Sequence, residues 1–349
     1  MGGSLKITGL QFEDEKITSY LFSLNNKQIL FDFGTIELSE DIIRQLDYIF
    51  ISHYHYDHTC GLLEKLEKIP NDCKIYMTRT TKEVFEYIIK RQNYKENKCN
   101  KLLKILTDRF SIALFNKRYN DGGLEFKFYR SGHCFGGYML YIKDEENSLF
   151  FSSDMDYVSS DIDRQYEVDE YIDADFAVLD GTIIDDADFK KSKVNSIKYN
   201  EKGDMRLFCK IEKAVVIAKF LSNKHLDTNI VYDADLEPLI TIFYKNGYDC
   251  FSENFNISTK STEEDYDRKK LKNKIYLSSI NKEKSKFLPD KLFSLHIGNF
   301  DRKEFIDKCF PSKTKILLGH YTEWDKIEKY CKQNHYDFIK KGNYNYEKK

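Results

Sequence analysis

The densest run of reactive side chains is HYHYDH, where His53, His55, Asp57 and His58 stand within six residues. His53 and His55 are two apart, so on an extended backbone both rings point to one side and can share a cation. Asp57 and His58 then turn toward a second position. Imidazole nitrogens joined by carboxylates suit zinc, with manganese or iron as alternatives. A single cation would not use all four groups, and the cluster alone speaks for a metal without naming a reaction.

The elements around it show how such a cluster would be held. YIFIS reads as a short buried strand running into His53, and Leu62, Leu63, Leu66 and Ile69 then recur at helical spacing, so the cluster sits at a strand-to-helix junction. Other polar residues also fall at strand ends: Asp32 after KQILF, His133 after LEFKFYRSG, Asp154 after SLFFSS, and Asp180 in DFAVLDGT. KITSYLFSL and KQILFDFG flank Asn25-Asn26 as a hairpin, and KIYMT followed by TKEVFEYIIKRQ repeats strand and helix.

Beyond Thr182 the texture changes. A polar, turn-rich stretch precedes LFCKIEKAVVIAKFL, read as helix; NIVYDA is a strand and LEPLITIFYKNG a helix closed by Gly247. KSTEEDYDRKKLKNK reads as a solvated linker. KLFSLH, KTKILLGH and EWDKIEKYCKQN return to the first texture. The expected division is one domain from residues 1–182 and 290–349, with residues 183–289 inserted.

Composition narrows the setting. Lys+Arg 55 against Asp+Glu 57 gives a net charge of -2, so affinity for phosphate must come from a local basic surface. The eight cysteines form no CxxC pair, which fits reduced thiols in a cytoplasm. No apolar run approaches the roughly 20 residues that cross a bilayer, so no membrane association is expected.

HYHYDH resembles the H-x-H-x-D-H signature of the metallo-β-lactamase superfamily, and SGHCFGGYML and FFSSD resemble its next ligand segments. FSLHIGNFDRKEFI, KTKILLGHYTEWDKIEKY, FAVLDGT and IYMTRTTKEVFE resemble motifs of the β-CASP branch, the nucleic-acid-processing members such as ribonuclease J and the cleavage-and-polyadenylation endonucleases. The resemblance spans residues 5–182 and 290–335. It implies an α/β fold, an αββα sandwich carrying a shortened β-CASP-like α/β insert.

The same resemblance implies a ligand set. His53, His55 and His133 would hold one metal, Asp57, His58 and His320 a second, and Asp154 would bridge them. The cofactor is then two zinc ions, with manganese as the alternative. Two adjacent cations acidify a bridging water and neutralise phosphate oxygens, which is an arrangement for phosphodiester hydrolysis. Asp57, Asp180 and His296 are the implied catalytic residues, His296 as proton donor to the leaving oxygen and Asp180 as the group that orients it. Asp32 would accept hydrogen bonds near the ligating histidines.

His320 at the last motif implies RNA, whereas Asp180 before Gly-Thr is closer to DNA-directed relatives; His320, itself a ligand, carries more weight. Single-stranded RNA is therefore the expected substrate, with DNA second. The insert of this branch is usually larger and closes over the site. Here a protein partner or a second copy would complete the cleft, or the substrate is smaller: a cyclic nucleotide, lactone or thioester. A non-catalytic scaffold ranks last, because no ligand is missing.

Overall fold

In the computed structural model the described residues are 5–12, 16–155, 168, 171–181, 205–208, 229–232, 236–248, 274–278, 292–293, 302–319, 324–338 and 342–346. His296 and His320 lie outside them. The chain divides into two compact units, Met1–Asp156 with Tyr166–Asp185 and Phe300–Lys349, and Tyr157–Gln165 with Asp186–Asn299. No helix among the described residues is long and apolar enough to cross a membrane.

Two sheets of seven strands build the first unit. One contains β1 (Leu5–Phe12), β2 (Lys16–Leu24), β3 (Lys27–Phe31), β4 (Leu46–Phe50), β5 (Lys74–Met77), β6 (Phe110–Ile112) and β18 (Gly342–Tyr346), ordered β18-β1-β2-β3-β4-β5-β6. The other contains β7 (Arg118–Asp121), β8 (Leu124–Arg130), β9 (Tyr138–Lys143), β10 (Ser148–Phe151), β11 (Phe176–Asp180), β16 (Lys315–Gly319) and β17 (Asp337–Phe338), ordered β17-β16-β11-β10-β9-β8-β7. Among the described residues the α-helices are α1 (Glu40–Ile43), α2 (Tyr56–Lys65), α3 (Arg79–Arg91), α4 (Glu96–Arg109), α6 (Arg302–Cys309) and α7 (Trp324–Asn334) in this unit, and α5 (Glu237–Lys245) in the second.

Burial on both faces explains why the strands read as unbroken apolar runs. Along β3, Ile29 and Phe31 enter the core between the sheets while Leu30 enters the outer core with the helices. Along β4, Tyr48 and Phe50 face inward and Ile49 outward, where Leu62, Phe85 and Leu106 of α2, α3 and α4 pack. Phe31 and Phe22 stack on Phe151 of β10 across the sandwich at 4.8 and 5.0 Å. Phe150 points the other way, onto Phe305 of α6 and Phe310. The layers are therefore helix, sheet, sheet, helix.

Strand direction decides where the reactive residues collect. β3, β4 and β5 run parallel, as do β10, β11 and β16; β8 has the same direction as β10 because both are antiparallel to β9. The C-terminal ends within each set fall on one edge, so Asp32, His53, His133, Asp154 and Asp180 emerge where the strands stop. The β2–β3 hairpin turns on Asn25 and Asn26 with φ of 47° and 57°, the left-handed pair that a two-residue turn demands.

The second unit contains a sheet of β12 (Met205–Phe208), β13 (Asn229–Tyr232), β14 (Lys274–Ser278) and β15 (Leu292–Phe293), ordered β13-β14-β12-β15. β12 corrects the sequence expectation at its start. The sequence pattern places Leu207 and Phe208 in a helix, yet β12 pairs in parallel with both β14 and β15. Sheet pairing overrides a local pattern that suits either state. Residues 209–221, the rest of the expected helix, lie outside the described residues. α5 ends where Gly247 takes φ of 81°, as the sequence suggested.

Candidate metal centre

The α2 junction is shaped so that its first residues serve the cluster. His55 occupies the N-cap position of α2 but makes no side-chain cap hydrogen bond, a position where Ser, Thr, Asp or Asn would normally bond the helix. Its Nδ1 instead lies 2.9 Å from His53 Nε2 and 3.1 Å from His133 Nε2. Gly34 and Gly61 let the loop after β3 press against α2. A Cβ at Gly34 would meet the Asp57 carbonyl oxygen at 1.7 Å, and one at Gly61 the Thr35 carbonyl oxygen at 2.1 Å.

His133 is fixed from the other sheet. Thr78, the N-cap of α3, donates its hydroxyl to the Gly136 carbonyl at 2.9 Å, and the Tyr138 amide donates to the Ser52 carbonyl at 3.0 Å. Each bond ties the loop carrying His133 to the ends of β4 and β5.

His53, His55, His133 and Asp154 are all buried, and one ligand atom from each lies within 4.8 Å of all the others. Asp154 faces two ways: Oδ2 is 3.4 Å from His133 Nε2 and Oδ1 is 3.3 Å from His58 Nε2. Asp57 Oδ2 stands 3.8 Å from the same His58 nitrogen. Three imidazoles and a carboxylate thus converge on one point, and His58 and Asp57 flank it on the far side of Asp154. This donor set fits a divalent transition metal.

A buried polar network sets the tautomers. Asp32 is fully buried at φ of 57° and accepts from the Ser52 amide at 2.7 Å, the Ser52 hydroxyl at 2.8 Å, His58 Nδ1 at 2.8 Å and the Ser153 hydroxyl at 3.2 Å. Ser52 spends its proton on Asp32, so the 2.8 Å contact between its oxygen and His53 Nδ1 has the ring nitrogen as donor. Both rings therefore carry hydrogen on Nδ1 and turn Nε2 toward the cluster, the orientation that metal-binding histidines take from their hydrogen-bonding partners.

The electrostatics differ from ring to ring. Burial, then the neighbouring His58 and His55, push His53 well below the usual imidazole range. At His58 burial also works against charge, but Asp154, Asp57 and Asp32 outweigh it and raise the ring to about 9. Positive charge is thus favoured on the His58 side of the centre. Asp57 has already recruited some: Lys16 Nζ at the start of β2 lies 2.5 Å from Asp57 Oδ2.

Of the residues singled out from the sequence, His53, His55, Asp57, His58, His133, Asp154 and Asp32 come together here. Asp180 is buried alongside; its Oδ2 accepts from the Met155 amide at 3.3 Å, and its own amide donates to the Ser152 hydroxyl at 2.9 Å. Ser52, Ser153 and Lys16 were missed. The two serines had a signal, since each immediately precedes a ligand candidate at a strand end; Lys16 had none.

The first unit is thus a two-sheet αββα sandwich with a histidine-aspartate cluster at its strand ends. Residues 34–222, more than half of the 349-residue chain, match the family described as Beta-lactamase superfamily domain, and the protein belongs to that family. Cleavage and polyadenylation specificity factor subunit 3-I of Arabidopsis thaliana is 23% identical over 175 residues, covering 44% of this chain and 25% of that protein. Integrator complex subunit 11 of Danio rerio is 30% identical over 137 residues, covering 35% and 22%. Endoribonuclease ysh1 of Schizosaccharomyces pombe is 26% identical over 136 residues, covering 36% and 17%. The chain thus spans a quarter or less of these relatives. A solved structure of a protein of unknown function from Enterococcus faecalis V583 superposes with a TM-score of 0.58 at 12% identity, covering 98% of this chain and 100% of the other, a likeness of fold.

Proposed function

We propose that the protein is a metal-dependent phosphodiester hydrolase of the β-CASP kind acting on single-stranded RNA, with DNA as the second choice. The observation that carries this reading is Asp154, whose two oxygens face different histidines and so could serve two adjacent metal positions at once. His53, His55 and His133 would hold one zinc or manganese ion, and Asp57 and His58 the other. A bound pair of such ions supplies Lewis acidity toward a phosphoryl oxygen and acidifies a water.

The chain's own groups would do the rest. Asp32 keeps His53 and His58 in the ligating tautomer. Asp180, through the Met155 amide, steadies the turn that presents Asp154. β16 ends at Gly319, paired in register with Asp180, so His320, the next residue, is the proposed third ligand of the second ion. His296 is the proposed proton donor to the leaving oxygen, oriented by Asp180. Relatives named as an endoribonuclease and a cleavage factor support RNA as substrate.

The test is cleavage of end-labelled single-stranded RNA and DNA by the full chain with and without chelator. Metal-dependent cleavage of RNA, lost in His55→Ala, is expected; no cleavage of either polymer with metal present would overturn the reading. The small second unit favours one alternative, a hydrolase of a cyclic nucleotide, lactone or thioester. His296→Ala separates them, because it should abolish polymer cleavage while leaving lactone or thioester opening nearly intact.

A further inference from the structure

We propose that Lys16 is the resident cation of the Asp57–His58 half of the centre, and that this half accepts a divalent ion only by displacing the ammonium. The inference rests on reading the cluster as a two-metal centre and adds an order of loading to it. Lys16 Nζ meets Asp57 Oδ2, the same oxygen that faces His58 Nε2. An ammonium and a metal ion would compete for one atom.

The pairing is built in. Lys16 and Asp57 side chains are only 23% and 17% exposed, so bulk water screens them weakly. The charges of Asp154 and Asp180 also act on Lys16, so it sits in the field of three carboxylates. Its strand is anchored to the α2 side of the site, since Ser19 of β2 accepts from the Gly34 amide at 2.8 Å and Gly34 packs against the Asp57 carbonyl. A lysine, unlike an arginine, is a compact charge on a flexible stem and can swing out without backbone movement. The His53, His55 and His133 half instead turns three imidazole nitrogens toward one another, a donor set that suits a zinc ion.

The consequence is stepwise metal uptake. The first ion enters the three-histidine half; the second must break the Lys16–Asp57 pair. At the effective dielectric of a partly buried pair, that attraction is worth at least about tenfold in an equilibrium constant.

The experiment is a Zn2+ titration of the chelator-stripped full chain, followed by calorimetry and native mass spectrometry, on wild type, Lys16→Met and Lys16→Arg. Wild type should take two ions in unequal steps, the second at least about tenfold weaker. Lys16→Met should tighten the second step by about that factor and leave the first unchanged, while Lys16→Arg keeps two unequal steps. Equal wild-type steps, or an unchanged second step in Lys16→Met that circular dichroism shows to be folded, would overturn the proposal. If Lys16→Met does not fold, the wild-type ratio decides alone. RNA cleavage can survive either result, so this failure is distinct from failure of the proposed activity; a chain that takes no zinc contradicts both.

Discussion

The two halves of the proposed metal centre differ in donor type and in how they are held. His53, His55 and His133 come from two sheets, are buried, and turn nitrogens toward one another at 2.9 and 3.1 Å. Asp57 and His58 come from the first turn of one helix, and Asp57 is already paired with Lys16. In that proposal the first half draws on both sheets, through the loops after β4 and β8, whereas the second draws on one helix turn beside a lysine that already meets part of its charge. HYHYDH supplies two donors to each half and His133 completes the first, so the proposed difference in loading rests on what surrounds the donors.

The largest effect is expected on the preformed half. His55→Ala should remove its metal, with metal analysis falling by at least one equivalent per chain and RNA cleavage dropping to background. Retention of full metal content in that variant would show that the three histidines do not hold the metal.

Asp32→Asn should come next, because one carboxylate serves both halves, directly through His58 and indirectly through Ser52 to His53. A lost partner of a ligating histidine typically costs about 10–100-fold in metal affinity or activity. The direct contact predicts the larger loss at the His58 side, readable as a second binding step weakened more than the first.

Gly34→Ala should act through packing. Its Cβ would overlap the Asp57 carbonyl, which must move with the start of α2. Overpacking of this kind costs about 1–3 kcal/mol, seen as a lowered melting temperature, and the second metal step should weaken while the first holds.

Asp121→Asn is the smallest expected effect and a control far from the centre. Asp121 on β7 accepts from Lys74 and Tyr76 on β5, clamping the two sheets near the N-terminal ends of β5 and β8. Burial opposes its charge, but the hydrogen bonds from Lys74, Tyr76 and Tyr48 hold its carboxyl below the usual 3.8. A depressed folded pKa means the stabilisation is complete above about 3.8 and is lost as pH falls through the folded value. The variant should lose a few tenths to about 1 kcal/mol near neutral pH, with metal uptake unchanged. The difference from wild type in denaturant titrations should shrink below pH 3.8.

Much of this site was legible in the sequence because its residues mark strand ends. An apolar run followed by His53, His133, Asp154 or Asp180 states both the strand and its stopping point. Asp32 was harder: a strand-end Asp before Phe-Gly is an ordinary turn former, and the structure does give it a left-handed backbone. What distinguishes it are bonds from Ser52, 20 residues on, and Ser153, 121 residues on, which no local pattern encodes. Lys16 was invisible for a related reason, since a lysine opening a strand is ordinary and only its place opposite Asp57, 41 residues away, makes it chemical. α4 and the β12 pairing were missed where short apolar runs suit helix and strand alike.

The most direct test of the central claim is an anomalous difference map from a zinc-soaked crystal, collected at the zinc absorption edge. A strong peak enclosed by His53, His55, His133 and Asp154 is expected, with a weaker one between Asp154, Asp57 and His58. Zinc bound elsewhere, with no peak among the three histidines, would contradict it.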